Sequence, residues 1–233
     1  MRAALAFLTP LGGARVPDRR TLSWFPVVGA VIGAATGAVW WGASQLWPPV
    51  VAAAIVIAFD LAITGMLHLD GLVDTADGLL GHLERDRRLA VMAEPTVGAF
   101  AVATAVVVLL LRFSALATMA PRLALVAGLW CGSRTVMAVA ARAVPYARAG
   151  GLVSAFTGGD WRPVAIYGTA AALLLGALGQ GAPGIGAVAA SLVAGALVVL
   201  AGRARLGGCT GDILGAAGVL AETAGLVVAA ARW

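Results

Sequence analysis

The chain has 233 residues, of which 61% are hydrophobic and only 12% charged, and its mean hydropathy is +0.95. A soluble domain of this length does not have such a composition, so we expect a polytopic membrane protein with one domain over residues 1–233. All 16 basic residues are arginine, and the net charge of +5 fits loops on one side of a membrane rather than a nucleic-acid partner.

Apolar segments recur along the chain and predict about seven transmembrane helices in an all-α bundle. In chain order they are Phe25–Leu46, Pro49–Leu67, Val97–Phe113, Leu123–Ala141, Val164–Leu178, Ile185–Ala201 and Ile213–Ala231. Several are shorter than the roughly 20 residues that a perpendicular crossing prefers, so a re-entrant segment is an alternative for one of them. The 31 glycines suit close helix packing in lipid.

The arginines are concentrated in alternate connections between these spans. Most of them lie in the N-terminal arm and in residues 68–95, 142–163 and 203–212. The opposite side receives Arg112, Arg122 and Arg232. Because positively charged loops stay in the cytoplasm, the arginine-rich side is predicted to be cytoplasmic. Most acidic residues share that side, which indicates an active site on the cytoplasmic face rather than a pore.

The segment from His68 to Gly78 concentrates acidic residues in a chain that is otherwise almost free of charge. On a helix, Asp70, Asp74 and Asp77 would lie within roughly 60° of one another. Three anions on one face repel, and clustered carboxylates suit a hard ion, so we expect a Mg²⁺ site here. A solvated polar cap is the alternative. His68 is a candidate base or donor to the ligands, and a core or capping histidine is an equal alternative.

A glycine-rich segment, Gly207–Ala216, precedes the last span. Its glycines permit a tight turn whose amides can approach a phosphate, which makes Thr210 and Gly211 candidate substrate contacts. Asp212 lies at the predicted N-terminus of the following helix. The alternative is that Thr210 or Asp212 only caps this helix.

The segment Arg142–Gly151 is a second candidate for phosphate binding. The guanidinium groups of Arg142 and Arg148 can clamp a phosphate, and the ring of Tyr146 can stack on a base. An equally good interpretation is a positively charged membrane anchor with an interfacial tyrosine.

Arg134 lies inside an apolar span, where a charged side chain is costly and usually faces a polar cavity or a carboxylate. Asp60 and Glu222 also lie well inside apolar spans and are its candidate partners. Structural pairing is the favoured role, and substrate binding is the alternative.

These segments together resemble a known family. The run His68-Leu69-Asp70-Gly71-Leu72-Val73-Asp74-Thr75-Ala76-Asp77-Gly78 resembles the signature of the cobalamin synthases, the adenosylcobinamide-GDP ribazoletransferases. The resemblance covers most of the chain, and its supporting motifs are Phe7-Leu8-Thr9-Pro10, Trp24-Phe25-Pro26-Val27-Val28-Gly29, Ser133-Arg134, Pro145-Tyr146-Ala147-Arg148 with Gly150-Gly151-Leu152, and Gly208-Cys209-Thr210-Gly211-Asp212 with Gly215-Ala216.

One segment departs from the family pattern. Members tend to have a stretch of Lys-Asp-Ser-Arg type before Gly98, where this chain has Ala93-Glu94-Pro95-Thr96. If that arginine binds phosphate in relatives, Arg85 or Arg88 is a candidate replacement. The departure bears on substrate affinity more than on the class of reaction.

The resemblance implies a Mg²⁺-dependent phosphotransferase of the cell inner membrane. It would join α-ribazole or its 5′-phosphate to adenosylcobinamide-GDP, giving adenosylcobalamin or its phosphate and GMP. With the residue patterns above, the candidate metal ligands are Asp70, Asp74 and Asp77. The candidate catalytic residues are Asp74, Asp77, Asp212 and His68. The candidate substrate contacts are Arg134, Arg142, Tyr146, Arg148, Thr210 and Gly211.

Two other functions remain as alternatives. A lipid enzyme similar to the CDP-alcohol phosphotransferases also uses clustered aspartates on a membrane helix, but Asp77-Gly78-Leu79-Leu80 lacks the usual Ala-Arg continuation. A cation transporter would need its acidic site near the middle of the bilayer, whereas these acids lie at a predicted membrane edge.

Overall fold

The structure, a computed structural model, describes residues 1–13, 17–18, 20–148 and 158–233. Arg15, Arg19 and the predicted motif from Gly150 to Leu152 lie outside the described residues. Within the described ranges the chain forms ten α-helices and two 3₁₀ helices and no strand, so the all-α prediction is confirmed. The α-helices are α1 (Arg2–Leu8), α2 (Phe25–Leu46), α3 (Pro49–Ile63), α4 (Leu67–Leu80), α5 (Arg85–Val91), α6 (Ala99–Thr118), α7 (Leu123–Ala143), α8 (Arg162–Gln180), α9 (Ala182–Leu206) and α10 (Gly211–Ala229). The 3₁₀ helices are Pro10–Gly12 and Thr21–Trp24.

Six helices of the described chain, α2 and α6 to α10, are long and apolar enough to cross a membrane. By length and composition alone, a seventh crossing is reached only if α3 and α4 are counted as one span, so the described chain has six or seven candidate crossings against about seven predicted. The bounds of α2 agree with the sequence, and the other helices differ from the predicted spans by a few residues. A span predicted from hydropathy ends at the first arginines, whereas the helical backbone of α9 continues through Arg203 and Arg205.

The predicted span Pro49–Leu67 is broken in the structure, and this boundary was wrong. The chain turns by 90° between α3 and α4. Gly65 and Met66 both adopt left-handed backbone conformations at the break, with φ of 58° and 57°. An apolar run that contains such a reversal looks continuous to a hydropathy scale. Because α4 leaves the direction of α3, we treat it as a helix outside the spanning segments, at one end of the bundle.

The central helices are α7 and α10, most of whose residues are buried. Contacts to α7 come from α2, α8, α9 and α10, and α10 also packs against α4 and α6. Glycines four residues apart on α2 allow the close approach of α7. A Cβ at Gly33, for example, would lie 2.6 Å from the Val126 carbonyl oxygen. This small-residue spacing is the packing device expected in lipid.

Arg112 does not lie on the membrane side that the sequence predicted. It is inside α6 and only 4% exposed, because α6 continues past Phe113 to Thr118. Its guanidinium pairs with Asp60 of α3 at 2.9 Å and with Glu222 of α10. A paired arginine is tolerated inside a bundle, so charge alone did not mark the end of this span.

Asp60, Arg112, Arg134 and Glu222 form an interior charge network that joins α3, α6, α7 and α10. Arg134 pairs with Glu222, as one of the two predicted alternatives had it, and Trp130 Nε1 donates to Asp60 at 2.9 Å. Two cations and two anions offset one another here. Each partner is therefore needed, since the loss of one leaves an uncompensated charge inside the bundle.

Candidate active site

One end of the bundle gathers α4, the segment after α7 and the turn between α9 and α10. Tyr146 and Cys209 form an isolated parallel bridge, flanked by two backbone hydrogen bonds of 2.8 Å between the same two segments. Arg85, just beyond α4, donates hydrogen bonds to both of these segments. The segments that the sequence assigned to one membrane face therefore lie at one end of the bundle.

The first turn of α10 is packed against α4. A Cβ placed on Gly71 would lie 2.8 Å from the carbonyl oxygen of Asp212, so only glycine permits this approach. Gly215, one turn further along α10, lies against His68 and Gly71, and a Cβ there would be 3.3 Å from the His68 carbonyl oxygen. The structure thus brings Asp212 beside the aspartate-bearing helix, as predicted.

Asp70, Asp74 and Asp212 form what we call the carboxylate cluster. Burial, together with the charges of Asp212 and Asp70, raises the pKa of Asp74 to about 6, against a lowering by Arg148. Arg148 Nη2 lies 3.2 Å from Asp212 Oδ2. In the described part of the chain, no group of three or more His, Cys, Asp or Glu side chains is arranged to hold a metal ion. The cluster is therefore an open group of acids with an arginine at its edge.

Asp77 has a different set of contacts from the other two aspartates of α4. Its Oδ2 accepts a hydrogen bond from the Gly98 N–H at 2.6 Å, and its Oδ1 accepts one from the Ala101 N–H at 2.9 Å. Gly98 is the N-cap residue of α6 and Ala101 lies in its first turn, where backbone N–H groups have no partner within the helix. Asp77 therefore caps α6 from a neighbouring helix, which its spacing in the sequence could not reveal.

His68 faces the interior of the bundle instead of the carboxylate cluster. On a helix, positions 68 and 70 point about 160° apart. His68 is 4% exposed and lines a small cavity with members of the interior charge network. Neither ring nitrogen has a hydrogen-bond partner among the described residues. This placement favours the alternative of a core histidine over that of a catalytic base.

Two of the three predicted substrate-binding arginines are placed away from the cluster. Arg142 donates to the Ser23 hydroxyl and to the Asp160 carbonyl, both at 2.8 Å, and so joins α7 to the Thr21–Trp24 turn and to the start of α8. Arg134 is 1% exposed and paired with Glu222. Among these three arginines, the ion pair with an acid of the cluster that the structure describes is made by Arg148.

The glycine-rich turn before α10 has both a capping and a positioning role. Thr210 accepts a hydrogen bond from the Ile213 N–H at 3.2 Å, so the capping alternative holds for this residue. Its hydroxyl also donates to Asp212 Oδ2 at 3.2 Å, which orients that carboxylate. Tyr146 lies against Gly211, and burial raises the pKa of its hydroxyl while Arg148 lowers it. The tyrosine therefore borders the cluster next to Arg148.

Arginines that the sequence analysis assigned no such role hold the loops around the site. Arg85 Nε donates to the Leu206 carbonyl at 2.8 Å, and its Nη2 donates to that of Ala147 at 3.2 Å. Arg88 donates to two carbonyls at the end of α4 at 2.8 and 3.0 Å, and Arg205 bonds the same helix end. Cations near a helix C-terminus are the one sequence signal for this role. Arg85 and Arg88 thus bind main chain in this structure.

The segment Ala93–Thr96, which we expected to depart from the family pattern, is exposed and leads from α5 towards α6. Glu94 pairs with Arg87 at 2.9 Å on this surface. The segment itself contains no basic residue. A phosphate group near α4 must therefore find its positive charge elsewhere, and Arg148 is placed to supply it.

The donor chemistry of the carboxylate cluster fits a hard divalent cation, since every donor is an oxygen. Mg²⁺ is usually held by one or two carboxylates and completes its shell with water and substrate phosphates, not by an all-protein cage. An open set of aspartates beside an arginine is compatible with a metal that is shared with the substrate.

A family model described as cobalamin-5-phosphate synthase matches residues 1–230 of the chain. The adenosylcobinamide-GDP ribazoletransferase of Ectopseudomonas mendocina is 39% identical, over 98% of this chain and 97% of its own length. The proteins of the same name from Brucella anthropi and Bradyrhizobium diazoefficiens are 38% and 37% identical, over 88% and 99% of this chain and 84% and 93% of their own lengths. No solved structure is significantly similar. The chain therefore belongs to the cobalamin-5-phosphate synthase family.

Proposed function

We propose that this protein is an adenosylcobinamide-GDP ribazoletransferase that works with Mg²⁺ at the carboxylate cluster. Relatives with that name match nearly the whole chain. The structural observation that carries the proposal is the packing of Asp212 against Gly71, which places acids from two separate elements around one site beside Arg148.

The reaction exchanges one phosphorus–oxygen bond for another. The oxygen of a ribazole hydroxyl attacks the phosphorus that carries the cobinamide, and the bond from that phosphorus to the bridging oxygen of the diphosphate breaks. GMP leaves with the electron pair, and the hydroxyl proton passes to a carboxylate of the cluster. Such a displacement needs alignment and charge neutralisation more than covalent catalysis.

The residues of the site divide these tasks. Asp70, Asp74 and Asp212 would hold Mg²⁺, which when bound neutralises the diphosphate and the leaving GMP. Arg148 would take the remaining charge of the phosphates, for which its planar guanidinium is suited. Tyr146 offers an aromatic face next to the cluster on which a base can stack. The backbone turn at Gly211 brings these groups together.

We further propose that the protein spans the cell inner membrane with the carboxylate cluster on the cytoplasmic side. This rests on the concentration of arginines at that end of the bundle. The burial of Arg112 in the interior charge network supports it, since one of the three arginines counted for the opposite side no longer belongs there. Adenosylcobinamide-GDP carries a charged diphosphate, which suits entry from the cytoplasm.

The direct test uses the purified full-length protein in lipid nanodiscs. Adenosylcobinamide-GDP and Mg²⁺ are supplied with α-ribazole in one series and with its 5′-phosphate in another, and GMP and the corrinoid product are quantified. We expect GMP to form only when a ribazole acceptor is present, in equal amount to the product. A folded protein that releases no GMP with either acceptor would contradict the proposal.

A further inference from the structure

Arg148 and Asp212 form a weak ion pair. The two side chains are 29% and 21% exposed, and Nη2 of Arg148 lies 3.2 Å from Asp212 Oδ2. That nitrogen is shielded from solvent but makes no contact of hydrogen-bond geometry within the described residues. Partly exposed ion pairs contribute little stability unless their geometry is ideal, which is not the case here. The pair is therefore held by charge without directional bonding.

The charges around this contact are unbalanced. Asp70, Asp74 and Asp212 contribute three carboxylates, and Asp70 and Asp212 both oppose ionisation of Asp74, whereas Arg148 favours it. Arg85 and Arg142, at the same end of the bundle, are engaged with main-chain carbonyls and the Ser23 hydroxyl. Within the part of the chain that the structure describes, Arg148 is thus the cation placed to screen the cluster.

We propose that Arg148 is a placeholder for the metal, pairing with Asp212 in the resting protein and leaving it when metal and diphosphate bind. Asp212 then becomes available to the cation, and the guanidinium moves to a phosphate oxygen. The inference rests on the proposed function, since it requires a divalent cation at the cluster. It goes further by making Arg148 a competitor of the metal before it becomes a substrate contact.

Two consequences follow from this competition. Without a diphosphate, the protein binds a divalent cation weakly, because binding must displace Arg148. A diphosphate draws Arg148 away and so strengthens metal binding, and by thermodynamic reciprocity the metal strengthens diphosphate binding by the same factor. The arginine thereby couples arrival of the substrate to completion of the metal site.

The test measures Mn²⁺ binding, by the loss of the free-ion electron paramagnetic resonance signal, to the full-length protein in nanodiscs without substrate. We expect Arg148→Gln to bind Mn²⁺ about tenfold more tightly than the wild type, since a cation near the metal position has been removed. Arg148→Lys keeps the charge and should bind as the wild type does. Arg87→Gln, which removes an exposed arginine from the same end, is the matched control and should leave Mn²⁺ affinity unchanged.

The outcomes separate this inference from the proposed function. One outcome is that the wild type binds Mn²⁺, that Asp74→Asn abolishes this binding, and that Arg148→Gln binds no more tightly than the wild type. In that case the placeholder role of Arg148 is wrong, while the metal site is retained. If neither the wild type nor Arg148→Gln binds Mn²⁺ and turnover is insensitive to Asp74→Asn, the metal site itself is wrong. Equal tightening by Arg87→Gln would show only a general charge effect and would also overturn the placeholder.

Discussion

Asp77 provides a sharp prediction because its role as a cap of α6 differs from that of a metal ligand. Asp77→Ala removes two hydrogen bonds, of 2.6 Å to Gly98 and 2.9 Å to Ala101. A hydrogen bond to a charged group is worth about 1.5–3 kcal/mol, and loss of a helix cap costs about 0.5–2 kcal/mol. Gly98 is exposed, so water replaces part of the lost bonding. We expect Asp77→Ala to cost about 2 kcal/mol of stability.

Asp77→Asn is the more informative variant because its amide oxygen can still accept from one of the two amides. We expect it to cost about 1 kcal/mol, which for a chain of this length lowers the Tm by about 2–4 °C. Turnover per folded molecule should stay within about threefold of the wild type, since capping acts through stability. Asp74→Asn should show the reverse, with a Tm near that of the wild type and no turnover.

The assay combines thermal unfolding in nanodiscs with GMP release normalised to the folded fraction. The same preparations are titrated with Mg²⁺, since a cap residue should leave the Mg²⁺ concentration for half-maximal turnover unchanged. If Asp77→Asn keeps the wild-type Tm and loses turnover as Asp74→Asn does, Asp77 is a ligand and the capping argument fails.

Three other perturbations test the remaining parts of the account. Asp212→Ala should lower turnover per folded molecule at least ~100-fold, and a loss confined to about 1 kcal/mol of stability would make this residue only part of a cap. Glu222→Gln should destabilise the fold by about 3–5 kcal/mol because it leaves buried arginines without their carboxylate partner, and adding Arg134→Gln should recover part of that loss. Additive losses of the two variants in unfolding experiments would refute the coupling. Cysteines at His82 and Ala182 should label from the cytoplasmic and the opposite side respectively, in a chain whose native cysteines are buried, and labelling of both from one side would refute the topology.

Features that depend on local sequence could be predicted. Hydropathy located the crossing helices because each of these helices is apolar over its whole length, whether its side chains face the bundle or the lipid. Helical spacing placed Asp70 and Asp74 together, and the cost of a lone charge in lipid led from Arg134 to Glu222 as one of two partners. The arginine distribution predicted which loops meet at one end, and the contacts of Arg85 and the bridge at Tyr146 are consistent with that.

Features that depend on contacts between distant segments could not be predicted. The amides that donate hydrogen bonds to Asp77 lie at the start of a helix some twenty residues later in the sequence. The spacing of Asp77 on α4 could not reveal this contact and suggested a third metal ligand instead. Arg112 resembled a loop residue until Asp60 and Glu222 were seen to pair with it inside the bundle. The reversal at Gly65 is invisible to hydropathy because it occurs within an apolar run.

The most direct test of the central claim is the Mg²⁺ dependence of ribazole-dependent GMP release in matched carboxylate variants. Asp74→Asn changes the half-buried acid of the cluster, and Asp86→Asn changes a 93% exposed acid nearby, with the same chemistry in each case. The account predicts that Asp86→Asn retains the wild-type Mg²⁺ curve, while Asp74→Asn releases no GMP or needs far more Mg²⁺. A wild-type curve for folded Asp74→Asn would contradict the assignment of the carboxylate cluster as the reaction centre.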